Sequence, residues 1–145
     1  MLKNRPIAGS ARALVKPTEA LPKLDRLLAG SPPTIIVSRK IGGIGDVLMT
    51  TPLVRELKNK YPNCKLIYAT DFGYLNGALP KVLEGNPFID EIVEWNKVDL
   101  EACDAHIDLS CPCIAHEVPG AKPINRVDLF ARHAQVELTD HSMTY

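Results

Sequence analysis

The sequence predicts a doubly wound α/β domain built on a mostly parallel, Rossmann-like sheet. Three observations support this prediction. The run Ile35-Ile36-Val37 is apolar on both faces, which is typical of a parallel strand covered by helices. Segments with strand and helix patterns alternate along the chain in the order β-α-β-α-β. A glycine-rich turn joins the first strand to the first helix, at the edge where open α/β folds bind their ligands.

Four strands and three helices are predicted in the body of the chain. The strands are short apolar runs, and the helices carry apolar residues at three- and four-residue spacing. A loop with three prolines, residues 111–123, precedes the last helix. The predicted strands are residues 34–39, 65–70, 91–95 and 105–110, and the predicted helices are 46–61, 74–83 and 126–134.

Proline and glycine disturb two of these helices. Pro52 either kinks the helix at 46–61 or occupies the first position of a regular helix that begins near Thr50 or Thr51. Gly77 and Pro80 are expected to interrupt the helix at 74–83.

Residues 1–33 are predicted to lie outside the domain, which then spans 34–145. Residues 1–18 hold four basic residues and no acidic one, and their alanines and serines faintly resemble a transit peptide. This composition indicates a flexible basic arm, with docking to an acidic surface or a larger assembly as the alternative. A short helix over 22–29 follows the arm.

Composition excludes several classes of function. Seventeen basic residues balance seventeen acidic ones, so nucleic acid is not favoured as a partner. No apolar run reaches the roughly 18 residues of a membrane helix, and the N-terminus lacks the apolar core of a secretory signal. Four cysteines without such a signal indicate reduced thiols and a cytoplasmic protein.

The glycine turn permits two interpretations from its residues alone. Gly43 and Gly45 match the first two glycines of the dinucleotide-binding fingerprint, and Asp71 lies where a ribose-binding acid belongs. Leu48, however, replaces the third glycine, and the charge of Asp46 would oppose a pyrophosphate at the turn. The simpler interpretation is a sharp turn in which Asp46 caps the helix.

A cluster of cysteines and histidines suggests a zinc site, but its spacing is poor. Structural zinc sites show C-x2-4-C pairs on tight turns, whereas the cysteines at 111 and 113 flank a proline. Small buried thiols are the alternative, and no metal is assigned. The cluster comprises Cys103, His106, Cys111, Cys113 and His116.

Longer motifs resemble a known family. The stretch IIVSRKIGGIGDVLMTTPLVRELKNKYPNCKLIY resembles the opening of glycosyltransferase family 9, the ADP-heptose:lipopolysaccharide heptosyltransferases, which have the two-domain GT-B fold. GNPFIDEIVEW is similar to the family's asparagine-proline turn and third strand, CDAHIDLS to its fourth strand, and INRVDLFARHAQVEL to the helix near the end of its first domain. The resemblance covers about residues 34–138. The matching residues in the opening stretch are Gly45, Asp46, Val47, Leu48, Pro52, Tyr61 and Pro62.

The resemblance implies an inverting transfer of a sugar from a nucleotide donor to an acceptor hydroxyl, without a metal or other cofactor. Asp46 would be the general base, because the family's Gly-Asp aspartate has that proposed role, and a helix N-terminus favours its ionised form. Glycines would let the acceptor approach the backbone. The residues expected to bind substrate are Gly42, Gly43, Gly45, Thr50, Thr51 and His116.

The resemblance is confined to the family's N-terminal, acceptor-side domain. GT-B enzymes bind the nucleotide sugar mainly in a second domain, so the chain is expected to need that domain or a partner chain for activity. Whether it is an enzyme by itself stays open. The alternatives are a non-catalytic binding or structural module, which docks into a homo-oligomer or larger assembly, and a dinucleotide-binding Rossmann domain.

Overall fold

The four strands form one parallel sheet. The fold is that of a computed structural model, which describes residues 32–110, 120 and 125–144. The strands lie side by side in the order β3-β2-β1-β4, which confirms the predicted Rossmann-like α/β fold. Their bounds are β1 Thr34–Ser38, β2 Lys65–Thr70, β3 Glu91–Glu94 and β4 Ala105–Asp108.

The order of the strands creates a switch point beside β1. From β1 the chain continues to β2 on one side, whereas β4 pairs with β1 on the other side. Connections that leave neighbouring strands in opposite directions open a crevice at their carboxyl ends. The loop after β1 therefore lies where the fold offers a ligand site.

The predicted helix at 46–61 is two helices. The short α1, Ile44–Leu48, is followed by α2, Thr51–Lys60. Thr50 caps α2 and Pro52 is its second residue, which confirms the interpretation that a regular helix begins near Thr51. Pro52 fits there because the first N–H groups of a helix have no partner within it.

The predicted helix at 74–83 is interrupted at Gly77 but not at Pro80. A 3-10 turn, Tyr74–Gly77, precedes α3, Ala78–Leu83. Gly77 has a φ of +80°, a conformation that glycine adopts without strain. Pro80 is the third residue of α3, so its missing N–H costs no helical hydrogen bond.

The last helix, α4, spans Arg126–His133 and ends one residue before its predicted end. All four helices contribute side chains to the core that covers one face of the sheet. From the sheet, this core takes residues that alternate along β1, β2 and β4. They are Ile35, Val37, Leu66, Tyr68, Ala105 and Ile107.

The segment after α4 lies along α2. Arg55 donates hydrogen bonds to the carbonyl oxygens of Asp140, at 2.5 Å, and Ser142, at 2.8 Å. Glu56 accepts a hydrogen bond from the Thr139 N–H at 3.1 Å. These contacts close the helical side of the domain.

Several sequence-based expectations cannot be compared with the fold. The basic arm, the helix at 22–29 and, apart from Gly120, the loop at 111–123 lie outside the described residues. Within residues 32–110 and 125–144, no helix has the length and apolar character required to span a membrane.

Candidate active site

The turn after β1 brings Asp46 to the switch point of the sheet. Gly42 has a φ of +146°, and Gly43 then caps α1. Asp46 is the third residue of α1, and its Oδ2 accepts a hydrogen bond from the Gly43 N–H at 3.0 Å. The carboxylate thus caps the helix from inside its first turn, as in a capping box, instead of preceding it.

Two arginines surround the same carboxylate. Arg39 Nη2 lies 4.0 Å from Asp46 Oδ1, and Arg126 Nη1 donates a short hydrogen bond to that oxygen. The side chain of Asp46 remains 19% exposed. The carboxylate is therefore held from three directions and still reaches the surface.

The two arginines differ in burial. The side chain of Arg39 is 7% exposed, whereas that of Arg126, at the start of α4, is 38% exposed. Arg39 also donates a hydrogen bond to the Leu109 carbonyl at 2.6 Å and lies over the Phe130 ring, 5.4 Å from its centroid. A buried charge requires such partners, so Arg39 is a fixed part of the site and Arg126 is at its rim.

The two threonines of the predicted substrate-binding set are buried. Thr50 Oγ1 donates to the Val47 carbonyl at 2.6 Å and shares a hydrogen bond of 2.7 Å with the Tyr68 hydroxyl. Thr51 Oγ1 donates to the Leu48 carbonyl at 2.7 Å and accepts from the Thr144 N–H at 2.8 Å. Both hydroxyls are occupied within the protein because helix-initiating threonines turn back to the preceding turn.

The glycines of that set lie together in the turn with Asp46. Gly43 and Gly45 are exposed, and a Cβ added at Gly45 would meet no atom within 4 Å. A Cβ at Gly42 would lie 3.0 Å from Arg39 Nη2 and 3.2 Å from Asp46 Cβ. Gly42 is therefore packed, a Cβ at Gly43 would lie in ordinary contact with Asp46 Oδ2 at 3.4 Å, and Gly45 faces open space. His116 lies outside the described residues.

The geometry disfavours a dinucleotide in this turn. The Gly43 N–H, which a pyrophosphate would need, already donates to Asp46. Asp71 Oδ1 accepts hydrogen bonds from the N–H groups of Gly73, at 2.8 Å, and Tyr74, at 3.0 Å. The groups that would bind phosphate and ribose are both used by the protein's own backbone and side chains.

Exposed apolar side chains border the site. The loops after β1 and β2 lie side by side, because the Asp71 N–H donates to the Lys40 carbonyl at 3.0 Å. Large apolar residues in these loops and in the helical turns that follow them stay well exposed, which is typical of a surface that meets a ligand or another protein. They are Ile41, Ile44, Phe72, Tyr74 and Leu75, each 39–49% exposed.

Of the predicted zinc cluster, the structure describes Cys103 and His106. His106 Nε2 shares a hydrogen bond of 2.8 Å with the Ser38 hydroxyl, and burial lowers the pKa of His106 against the opposing charge of Asp108. Cys103 Sγ donates to the Leu100 carbonyl at 3.0 Å. In the described part of the chain, no group of three or more possible ligands could hold a metal ion.

Away from this edge, a cavity of about 370 Å³ is lined by α4 and the segment after it. Its lining includes Asp128 and His141, which form a hydrogen bond of 2.8 Å, but not Asp46. Both side chains are well exposed. We locate the candidate site at Asp46, because a carboxylate at the switch point lies where this type of fold binds ligands. The cavity, by contrast, is lined by an exposed hydrogen-bonded pair.

Sequence reasoning missed both arginines of the site. They lie 7 residues before Asp46 and 80 residues after it, in segments interpreted only as a strand end and a helix start. One signal was present for Arg39, because a charged residue that directly follows a fully apolar parallel strand needs a buried partner. No local pattern marked Arg126.

Comparisons with known proteins found matches among solved structures. No protein-family model matches the chain, and no curated protein matches it. Among solved structures, it is similar to the glycosyl transferase family 9 protein from Veillonella parvula DSM 2008. The sequences are 31% identical over 45% of this chain and 17% of that protein, with a TM-score of 0.38. The chain thus matches a small part of that protein, and so low a TM-score supports no argument about function.

Proposed function

We propose that this chain forms the acceptor-side half of an inverting, nucleotide-sugar-dependent glycosyltransferase, heptosyl- or hexosyl-transferring, with Asp46 as its general base. The observation behind the proposal is the position of Asp46, partly exposed at the switch point and held by Gly43, Arg39 and Arg126. The ordered motifs that resemble glycosyltransferase family 9 support the same conclusion.

In the proposed reaction, Asp46 receives the proton of the acceptor hydroxyl. The hydroxyl oxygen attacks the anomeric carbon, the new glycosidic bond forms on the opposite face, and the nucleoside diphosphate leaves with the electron pair of the broken bond. General-base assistance of this kind contributes about 10²–10⁴-fold. Nothing is oxidised or reduced, and the residues named require no metal.

One contact must loosen for Asp46 to accept a proton. Its Oδ2 is engaged by a backbone N–H and its Oδ1 by two arginines. Arg39 is enclosed, whereas Arg126 is more than a third exposed at the rim. We therefore assign Arg126 as the partner that withdraws when acceptor and donor are bound.

The donor would be held by a second α/β domain, encoded with this chain or supplied by a partner chain. The exposed apolar residues at the same edge suit such a neighbour. We propose a cytoplasmic location, in which the thiols of Cys64 and Cys103 would remain reduced.

Binding by the isolated chain tests the acceptor-side assignment. The ¹⁵N-labelled chain is titrated with lipopolysaccharide core oligosaccharide and, separately, with ADP and UDP. We expect amide shifts at Gly43, Gly45 and Asp46 with the oligosaccharide and none there with the nucleotides. Shifts at this turn with nucleotides alone would contradict the acceptor-side assignment. Transfer itself is then measured with a donor-binding domain added.

A non-catalytic binding module is the second candidate. It is favoured by one observation, namely that both carboxylate oxygens of Asp46 are engaged within the protein. Such a module would bind the oligosaccharide and show no transfer with any donor domain. Equal oligosaccharide affinity in Asp46→Asn and the original chain, without transfer in either, would support it.

A further inference from the structure

The guanidinium group of Arg39 lies between a glycine and an aromatic ring. On one side, a Cβ at Gly42 would approach its Nη2 to 3.0 Å and its Nε to 3.1 Å, closer than ordinary contacts. On the other side, the Phe130 ring centroid is 5.4 Å from the guanidinium carbon, a cation–π arrangement. The guanidinium fits in this position because Gly42 has no side chain.

The remaining contacts of Arg39 connect the ends of two strands with the site. Nη1 donates to the Leu109 carbonyl, directly after β4, at 2.6 Å. Nη2 faces Asp46 Oδ1 at 4.0 Å. Among the described residues, Nε has no hydrogen-bond partner, although it is buried. These contacts hold the guanidinium beside Asp46, although leaving a buried N–H unpaired among the described residues costs stability.

We infer that Arg39 is a positioning residue for Asp46 and that Gly42 is the glycine that makes this position possible. Arg39 holds the carboxylate in the orientation in which Oδ2 meets the Gly43 N–H and Oδ1 faces the rim. The catalytic meaning of this role rests on the proposed function. The positioning itself is a property of the folded chain and can be measured without any reaction.

A purely structural arginine elsewhere in the chain provides the matched control. Arg55 is also largely buried, at 13% exposure, and also holds backbone carbonyls through its guanidinium. Its ion pair is with Asp140, not with Asp46. Arg39→Lys and Arg55→Lys therefore remove the same kind of side chain, and only the first touches the carboxylate.

The experiment follows two resonances in the full-length, isotope-labelled chain: the Gly43 amide and the Asp46 carboxyl carbon. In Arg39→Lys we expect both to shift, and the Gly43 amide to exchange about tenfold faster as its hydrogen bond opens more often. In Arg55→Lys we expect both at their original positions. A folded Arg39→Lys chain with both resonances and the exchange rate unchanged would overturn the inference.

A glycine pair repeats the test without removing the arginine. Gly42→Ala places a methyl group against Arg39 and Asp46, whereas Gly45→Ala places one in open space. We expect the shifted Asp46 carboxyl carbon and the faster Gly43 amide exchange of Arg39→Lys to recur in Gly42→Ala and to be absent from Gly45→Ala. If Arg39→Lys does not fold, this pair decides alone, and unchanged resonances in folded Gly42→Ala would then refute the positioning role.

A kinetic measurement separates this inference from the proposed function. With a donor-binding domain added, we expect Arg39→Lys to lower kcat at least tenfold with KM for the acceptor nearly unchanged, because it misplaces a group that acts in the transition state. Transfer at the original kcat in that variant would overturn the catalytic role of Arg39. If the unaltered chain transfers no sugar, the proposed function fails, and shifted resonances in Arg39→Lys still establish the positioning.

Discussion

The two edges of the sheet use aspartates in opposite ways. At the amino edge, Asp104 and Asp90 each precede a strand and form a reciprocal pair with the neighbouring strand. The Asp104 N–H donates to the Thr34 carbonyl and its carboxylate accepts the Thr34 N–H, at 2.9 and 2.7 Å. Asp90 does the same with Leu66, at 2.9 and 2.7 Å. Both carboxylates extend the ladder.

At the carboxyl edge, Asp46 lies outside the hydrogen-bond ladder of the strands. Its partners are a loop N–H and two arginine side chains, which come from the end of β1 and the start of α4. A carboxylate in a ladder is committed to the backbone, whereas one held by side chains can exchange a partner. Under the proposed function, the reactive carboxylate is therefore one that the strand ladder does not use.

Asp46→Asn is the strongest test of the difference between the two edges. The amide keeps an acceptor for Gly43 but cannot take up a proton as the carboxylate does. With a donor-binding domain added, we expect transfer to fall about 10²–10⁴-fold while the chain stays folded. Asp71→Asn, at the same edge and bonded to backbone N–H groups, is the control and should retain transfer. Equal rates for Asp46→Asn and the original chain would exclude Asp46 from the mechanism.

Asp104→Ala probes the amino edge. It leaves the Thr34 N–H without its acceptor, so we expect the free energy of unfolding to fall by about 1–3 kcal/mol. Urea denaturation measures the loss of stability, and binding of the sugar acceptor should be unchanged. Asp99→Ala is the control, because Asp99 is exposed and its carboxylate accepts from the N–H groups of Glu101 and Ala102 in its own turn. A loss of acceptor binding in Asp104→Ala would show that the two edges are not separate in function.

The pH dependence of stability provides a further test of the structural role of Asp90 at the amino edge. Burial alone would raise the pKa of Asp90, but hydrogen bonds from Leu66 and Lys58, with the charges of Lys58 and Lys65, outweigh it and hold this pKa below its ordinary value. The stabilisation by Asp90 is therefore complete above the unfolded-state pKa, about 3.9, and is lost as the pH falls through the folded value.

Asp90→Asn keeps an acceptor for Leu66 and removes this titration. In urea denaturation from about pH 6 to about pH 3, we expect the variant to lose less stability on acidification than the original chain, by less than about 1 kcal/mol because the carboxylate is partly exposed. Parallel curves for the two chains would show that Asp90 does not contribute to acid sensitivity.

Gly45→Ala has the smallest expected effect on stability. Gly45 lies in α1 with open space where a Cβ would be, so alanine should be neutral or stabilise by up to about 1 kcal/mol. If the acceptor approaches this backbone, its affinity should nevertheless fall. Thermal unfolding and oligosaccharide titration measure the two effects, and unchanged affinity would exclude Gly45 from the contact surface.

Short-range pattern predicted the scaffold well. The run Ile35-Ile36-Val37 identified β1, because the centre of a strand that is buried on both faces is apolar. The predicted strand at 65–70 coincides with β2. Pro52 marked the start of α2, since its missing N–H suits a first turn. The expected interruption at Pro80 was wrong. Because α3 begins later than the apolar pattern indicated, Pro80 also lies in a first turn, where its missing N–H costs no hydrogen bond.

By itself, the sequence determined the parallel α/β sheet and placed Asp46 beyond its first strand, because both follow from apolar pattern and chain order. Only the tertiary structure decided the partners of that carboxylate. Arg126 reaches it across 80 residues, and Arg39 bonds to a carbonyl 70 residues away. Only the tertiary structure brought the hydroxyls of Thr50 and Thr51 against the Tyr68 hydroxyl and the Thr144 N–H. Such contacts form between elements that are distant in the sequence, so no local pattern of residues predicts them.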